Sequence, residues 1–215
     1  MVLVLINKIT AYSDKCLRMS DEFKDLQPEN TSYKISEKRT IEEYTNLDAN
    51  DESLNKWKKS LGLNTGKELD VEPGDKRKVV IISMTLKIEG ESPVVINLEN
   101  EKNYASLKDK KISFKIKEKS IYKLIIKFKV QHEIITGLKY LQGVKKAGIT
   151  VDKIDEPMGS YAPNTVDKPF YEKEFEEVEA PGGFLARGNY SAVSKFIDDD
   201  KFEHLVLPWS FQITK

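Results

Sequence analysis

The sequence predicts an all-β domain, an antiparallel β-sandwich, carrying a polar N-terminal helical arm. Three observations predict it. First, apolar residues take alternate positions in Val80, Ile82, Met84, Leu86 and Ile88, in Tyr122, Leu124, Ile126, Phe128 and Val130, and in Leu205, Leu207, Trp209, Phe211 and Ile213, the period of strands with one buried face. Second, turn signals punctuate the same region at Glu89-Gly90, Gly148, Pro157 to Gly159, Pro181-Gly182-Gly183 and Asp198 to Lys201, with no long helical period between them. Third, only 39% of the 215 residues are apolar and 33% are charged, so a core forms only if part of the chain stays outside it.

The arm comes first along the chain. Residues 1–18 open with Met-Val-Leu-Val-Leu-Ile, too short for a membrane span and without the flanks of a signal peptide. Met19 is a plausible second start, so residues 1–18 are expected to be a dispensable extension. Residues 19–77 form the expected flexible arm. Met19 to Asn55 holds ten acidic residues against four basic ones, a composition that does not pack alone. Two helical signals interrupt it. Thr40 and Glu43 have capping-box spacing; Asp48, Asp51 and Glu52 precede Leu54, Trp57 and Leu61, spaced i, i+3, i+7, before Gly62. Helices this short need a surface to fold on, either their own domain or a partner. Residues 63–77, with Gly66, Pro73 and Gly74, read as a linker.

Residues 78–215 are the expected sandwich. Besides the three alternating runs, shorter strand-like runs lie near residues 94–98, 112–117, 134–144, 168–174 and 187–196. Charge within it is blocked: residues 107–153 hold thirteen lysines against four acids, and residues 154–203 hold twelve acids against five basic residues. The lysines read as outward members of strands that protect sheet edges. The acids fall largely in turns, where they are placed to meet a basic partner.

Composition excludes several function classes. Thirty-five basic and thirty-five acidic residues cancel, which removes the positive field that nucleic-acid binding draws on. Cys16 is the single cysteine; it makes no internal disulfide and no zinc framework, and a reducing cytoplasm is the natural compartment. No metal and no cofactor are expected. His132 and His204 lack nucleophile or metal spacing, Gly182-Gly183 precedes a strand rather than a helix that could hold phosphate, and Asp198-Asp199-Asp200 lacks the ligand spacing of a helical calcium loop. No enzyme is expected.

Several segments resemble a known family. Leu47 to Gly62, Leu-Asp-Ala-Asn-Asp-Glu-Ser-Leu-Asn-Lys-Trp-Lys-Lys-Ser-Leu-Gly, is similar to the switch-binding helix of the Rho GDP-dissociation inhibitors. Glu133 to Tyr140 and Gly148 to Lys153 resemble its central strands, and Glu179 to Tyr190 and Phe196 to Lys201 follow in the family's order. The wording is nearest to fungal members, over about residues 33–215. The resemblance implies an immunoglobulin-like sandwich whose sheets open into a pocket for the isoprenyl tail of a Rho-family GTPase. It implies that the protein binds such GTPases in the GDP state, one to one, extracts them from membranes in a transient encounter and slows GDP release, being monomeric when free. Matching positions assigns Asp48, Asp51, Ser53, Leu54, Trp57, Leu61, Asp199 and Asp200 to GTPase contact. It assigns Leu86, Phe114, Tyr122, Ile134, Leu185, Leu207 and Trp209 to the isoprenyl pocket, with ordinary inter-sheet core as the alternative for each.

Departures from the family pattern are confined. Leu207 stands where an aromatic is frequent, Pro208 is expected to interrupt the last strand, and Trp57 replaces a frequent tyrosine. Ser113 matches a phosphorylated serine of some relatives, whereas Asn189 occupies another such site and accepts no phosphate. The rival readings are a general lipid-tail carrier, which needs no Asp48 to Gly62 helix; an adhesion-type sandwich; and a hydrolase.

Overall fold

The structure, a computed structural model, describes residues 23, 26, 43, 51–60, 67, 69–101, 104, 107 and 110–215. Among the described residues the helix α1 (Glu52–Ser60) precedes ten strands: β1 (Val79–Ile88), β2 (Val94–Asn97), β3 (Ser113–Lys117), β4 (Ile121–Val130), β5 (Ile135–Lys146), β6 (Ile149–Tyr161), β7 (Tyr171–Glu174), β8 (Val178–Glu179), β9 (Gly188–Ile197) and β10 (Glu203–Thr214). They form two five-stranded sheets. The first runs β2-β1-β4-β7, with β8 also on β4; the second runs β3-β10-β9-β5-β6. This is the two-layer sandwich the alternation predicts, of the immunoglobulin-like kind the resemblance implies, and the three strongest alternating runs became β1, β4 and β10.

The inner faces make the core. Ile81, Ile126, Phe128, Leu138, Phe196, Leu205 and Leu207 are fully buried in one cluster between the sheets, and burial of this apolar surface is the main force holding the layers together. The polar atoms trapped there are paired. Tyr140 donates its hydroxyl to Gln142 Oε1 at 2.6 Å and lies 2.9 Å from Ser194 Oγ, which also accepts from the Trp209 indole at 2.9 Å. Since the tyrosine proton goes to Gln142, the Ser194 hydroxyl proton points to Tyr140.

Three expectations need correction. The sandwich is not wholly antiparallel: β3 pairs with β10 in parallel, Phe114 opposite Phe211. A tight turn at 118–120, with Lys119 at φ 62°, carries the chain from β3 straight into β4 of the other sheet, so β3 has no hairpin partner in its own. The turn signal at Pro157 to Gly159 lies inside β6, a thirteen-residue edge strand exposed along most of its length. An edge strand tolerates proline, and one exposed on both faces shows no apolar alternation, so β6 carries no period of two. Pro208 does not interrupt β10 either: it stays opposite Val193 of β9, and β3 joins β10 only from Ser210 onward, so no ladder bond on that side needs its missing N–H.

Hydrogen bonds tie the described part of residues 63–77 to the sandwich. Leu69 N–H donates to the Asn164 carbonyl and Val166 N–H to the Lys67 carbonyl, each at 2.9 Å. Asp75 and Arg77 pair bidentately, at 2.9 and 2.6 Å, and Arg77 also reaches the Glu101 carbonyl at 2.7 Å. His132, at φ 69°, lies 2.8 Å from the Asp75 carbonyl.

Candidate functional site: a wedge between the sheets and an acidic turn

Burial falls along β4 toward Tyr122 and dips along β10 at Trp209 and Phe211, beyond which Ile213 is closed off again. Ile126 and Phe128 of β4 and Leu205 and Leu207 of β10 are closed off, yet Tyr122 and Leu124, and Trp209 and Phe211, keep solvent contact although they too belong to the inter-sheet clusters. The layers therefore close at the Val130 end and part at the Tyr122 end. Around the parting, Leu86, Ile88, Ile116 and Ala180 are buried, with Val94, Phe114, Tyr122 and Phe211 packed against them.

One wall of this wedge is aromatic. Phe114 stacks on Trp209 with ring centroids 5.3 Å apart and on Phe211 at 6.2 Å. Tyr190 stacks on Phe211 at 4.8 Å with planes 9° apart. These side chains share one face because 209, 211 and 213 alternate inward along β10 while parallel β3 places Phe114 beside Phe211. The Ser194 hydroxyl under Trp209 fixes the indole. Burial pushes the Tyr140 hydroxyl far above its usual range, so it stays a neutral donor. Burial also raises Tyr122, and the Asp152 charge adds to that. Burial disfavours the charged form of both hydroxyls.

Outside the wedge, a cleft of about 610 Å³ opens beside Ile88 and Tyr122. Lys87, Glu89, Glu91, Lys123 and Glu177 line it as well, too many charges for a lipid chain along its whole length. It is a charged surface cleft rather than an apolar cavity.

Of the residues the sequence assigned to a pocket, Leu86, Phe114, Tyr122 and Trp209 come together here. Leu207 lies deeper, in the closed core at 0% exposure. Ile134 follows the far end of β4, a strand length of roughly 30 Å from Tyr122 at about 3.3 Å per residue. Leu185 stands outside, 86% exposed beside Phe184, in a loop stiffened where Lys146 Nζ meets the Leu185 and Arg187 carbonyls and Arg187 pairs with Glu118 at 2.6 Å. Phe211 and Ile213 share this inward face, and their place in the alternating run is the signal for them. Ser194 had no sequence signal, being a polar residue on an inward face.

At the opposite end, the β9–β10 turn presents Asp199 and Asp200. Asp198, the first residue of the turn signal at 198–201, does not face solvent. It is buried, accepting from Phe202 N–H at 2.9 Å and lying 2.9 Å from His204 Nε2. Lys201 at φ 63° closes the turn, Asp199 N–H donates to the Thr136 carbonyl at 3.1 Å, and Asp200 is exposed. Asp51 caps α1: its Oδ1 accepts from Ser53 N–H at 2.8 Å and Leu54 N–H at 3.1 Å. Ser53 is exposed and Leu54 half-buried, and Trp57 lies on α1. Asp48 and Leu61 lie outside the described residues, as does Thr40 of the first capping box. Among the described residues no group of three or more metal-ligating side chains occurs, and no helix is long and apolar enough to cross a membrane.

Comparison with known proteins bears on this arrangement. Residues 18–215 match a sequence family described as RHO protein GDP dissociation inhibitor. A Saccharomyces cerevisiae protein named Rho GDP-dissociation inhibitor is 60% identical over 200 residues, 91% of this chain and 98% of that protein. The Schizosaccharomyces pombe protein of the same name is 43% identical, covering 84% and 85%. Human Rho GDP-dissociation inhibitor 1 is 37% identical, covering 86% of each chain.

Proposed function

The chain belongs to the Rho GDP-dissociation inhibitor family, and on that premise we propose that it binds prenylated Rho-type GTPases in the GDP state, shelters their isoprenyl tail and slows GDP release. The observation that carries this is the uneven burial of the sandwich: inner-face aromatics stay wet toward one end while the same strands are sealed at the other. Ordinary inter-sheet core has no reason to leave Tyr122, Leu124, Trp209 and Phe211 in contact with water.

An isoprenyl tail entering the wedge removes both its own surface and these rings from water. At about 0.8 kcal/mol per buried CH₂, a chain of fifteen to twenty carbons releases on the order of 10 kcal/mol, the scale needed to compete with a bilayer. In this reading Leu86, Phe114, Tyr122 and Trp209 form the slot, and Leu207 forms its floor.

Slowing nucleotide release takes no covalent chemistry. A partner that orders the switch loops holds the nucleotide in place. Asp51, Ser53, Leu54 and Trp57 on α1, with Asp48 and Leu61 flanking them, are proposed to meet those loops, and Asp199 and Asp200 to contact the same GTPase. Because the slot and the acidic turn occupy opposite ends, the bound GTPase lies along the sandwich and its tail runs to the far end. Membrane contact is then needed only while the tail changes hosts.

The test pairs two assays with a prenylated, GDP-loaded Rho-type GTPase: extraction from liposomes and release of labelled GDP. The intact chain is expected to perform both. A chain lacking residues 1–62 is expected to keep tail binding but no longer slow release; retained inhibition would favour a general lipid-tail carrier.

A further inference from the structure

β9 is apolar on both faces. Ala192 and Phe196 point between the sheets, while Val193 and Ile197 face the other way, beside Leu141 of β5 and Val206 of β10. The outer face of an antiparallel sheet is ordinarily polar, so this strip is built to be covered. Phe23 and Leu26 cover it, at 1% and 4% exposure.

The fit is specific. Gly143 of β5 leaves the space the Phe23 ring fills: a Cβ there would lie 2.5 Å from Phe23 Cδ1. Lys145 Nζ sits over the same ring, 4.6 Å from its centroid. Lys195 Nζ donates to the Leu26 carbonyl at 3.2 Å and pairs with Glu203 at 3.1 Å. A turn joins the two anchors, Leu26 N–H donating to the Phe23 carbonyl at 3.0 Å.

We propose that the outer face of β5, β9 and β10 is a docking surface for the chain's own N-terminal segment, and that the Phe23–Leu26 anchor makes the arm a loop held at both ends. The second hold is the pair of hydrogen bonds at Lys67 and Leu69. α1 lies between the two, within residues 27–66. Phe23 sits by Gly143 and Lys145, and Leu26 reaches Lys195, nearer Ile197, so the anchor itself runs along the sheet toward the end that carries Asp199 and Asp200. Tethering from both sides confines α1 near the acidic turn and raises its effective concentration there. The contact stands on geometry alone; its effect on GDP release rests on the function proposed above.

The full-length chain serves for the test. Trypsin cleavage after Lys24 reads the anchor, because cleavage follows the population in which it is open. F23D is expected to speed this cleavage by about tenfold or more, and G143A to speed it from the sheet side. In an F23A background G143A is expected to add nothing, since the atoms its Cβ would meet first are gone. Cleavage after Lys24 as fast in the unaltered chain as in F23D would overturn the docking, as would a G143A effect that persists in F23A. In GDP-release assays the half-inhibitory concentration of F23D is expected to rise about three- to tenfold, and no rise would overturn the loop's contribution. If the unaltered chain itself fails to slow release, the proposed function falls while protection at Lys24 still decides the docking.

Discussion

Phe114 of β3 and Trp209 of β10 stack with their planes 16° apart, and the Trp209 indole is pinned beneath by Ser194. The pair forms a preset apolar wall that stays in contact with solvent. Trp209→Ala removes its larger half, so binding of a geranylgeranylated cysteine peptide is expected to weaken at least about tenfold, a loss of roughly 1.4 kcal/mol or more from buried apolar area. With Trp57→Phe as background, Trp209 is the remaining tryptophan, and its fluorescence is expected to change on adding the peptide. Unchanged emission at saturating peptide would place the tail elsewhere.

Asp51 is the cap of α1 and, in the function proposed above, a contact to the GTPase, and the two roles are separable. As the cap of α1 it is replaceable by asparagine, which caps equally well, whereas alanine costs about 1 kcal/mol of helix stability. Its negative charge is replaceable by neither. Asp51→Asn is therefore expected to keep α1 formed in the intact chain, read as amide hydrogen exchange at Ser53 and Leu54, while weakening inhibition of GDP release. If Asp51→Asn inhibits normally and only Asp51→Ala fails, capping is the residue's whole contribution.

Gly137 stands at φ 57°, and a Cβ there would fall 2.0 Å from Asp199 Oδ2. Gly137→Ala must both strain the backbone and displace Asp199, for an expected destabilisation of about 1 kcal/mol or more. It is also expected to mimic Asp199→Ala in GTPase affinity. Calorimetric unfolding and titration with GTPase check the two effects separately.

Two carboxylates link stability to acid. Arg77 holds the Asp75 carboxyl well below the usual value of 3.8. Arg187, with help from the Gly183 N–H, holds Glu118 down to about 2 from 4.5. Each folded pKa is depressed, so the stabilisation is complete above the unfolded value and is lost as pH falls toward the folded one. Asp75→Asn is expected to lower Tm at pH 7, with the gap to the unaltered chain closing as pH falls below about 4. Glu118→Gln is expected to do the same between about pH 4.5 and 2. A gap independent of pH would mean that neither charge matters to stability.

The alternating runs were enough to name β1, β4 and β10 and the two-layer fold, because one buried face leaves a period of two in any strand. The same rule hid β6, which buries little, and could not tell that β3 runs parallel to β10, since direction leaves no mark on alternation. Trp209 and Phe114 were legible as inward residues, and the motif order supported a pocket. What alternation could not say is that Tyr122 lies at the parted end of the sandwich and Leu207 at the sealed one. Both are apolar members of alternating strands, and only the spacing of the layers separates them. Asp51 was legible near a helix start, yet its placement as the cap rests on where α1 begins. Phe23 and Leu26 were the least legible of all: in an acidic stretch they look like isolated apolar residues, and their partner is a gap at Gly143 more than a hundred positions away. Local pattern thus determined the strands with one buried face and the resemblance to the family; the closing of one layer on another decided which apolar residues are core, which are wall and which hold the arm.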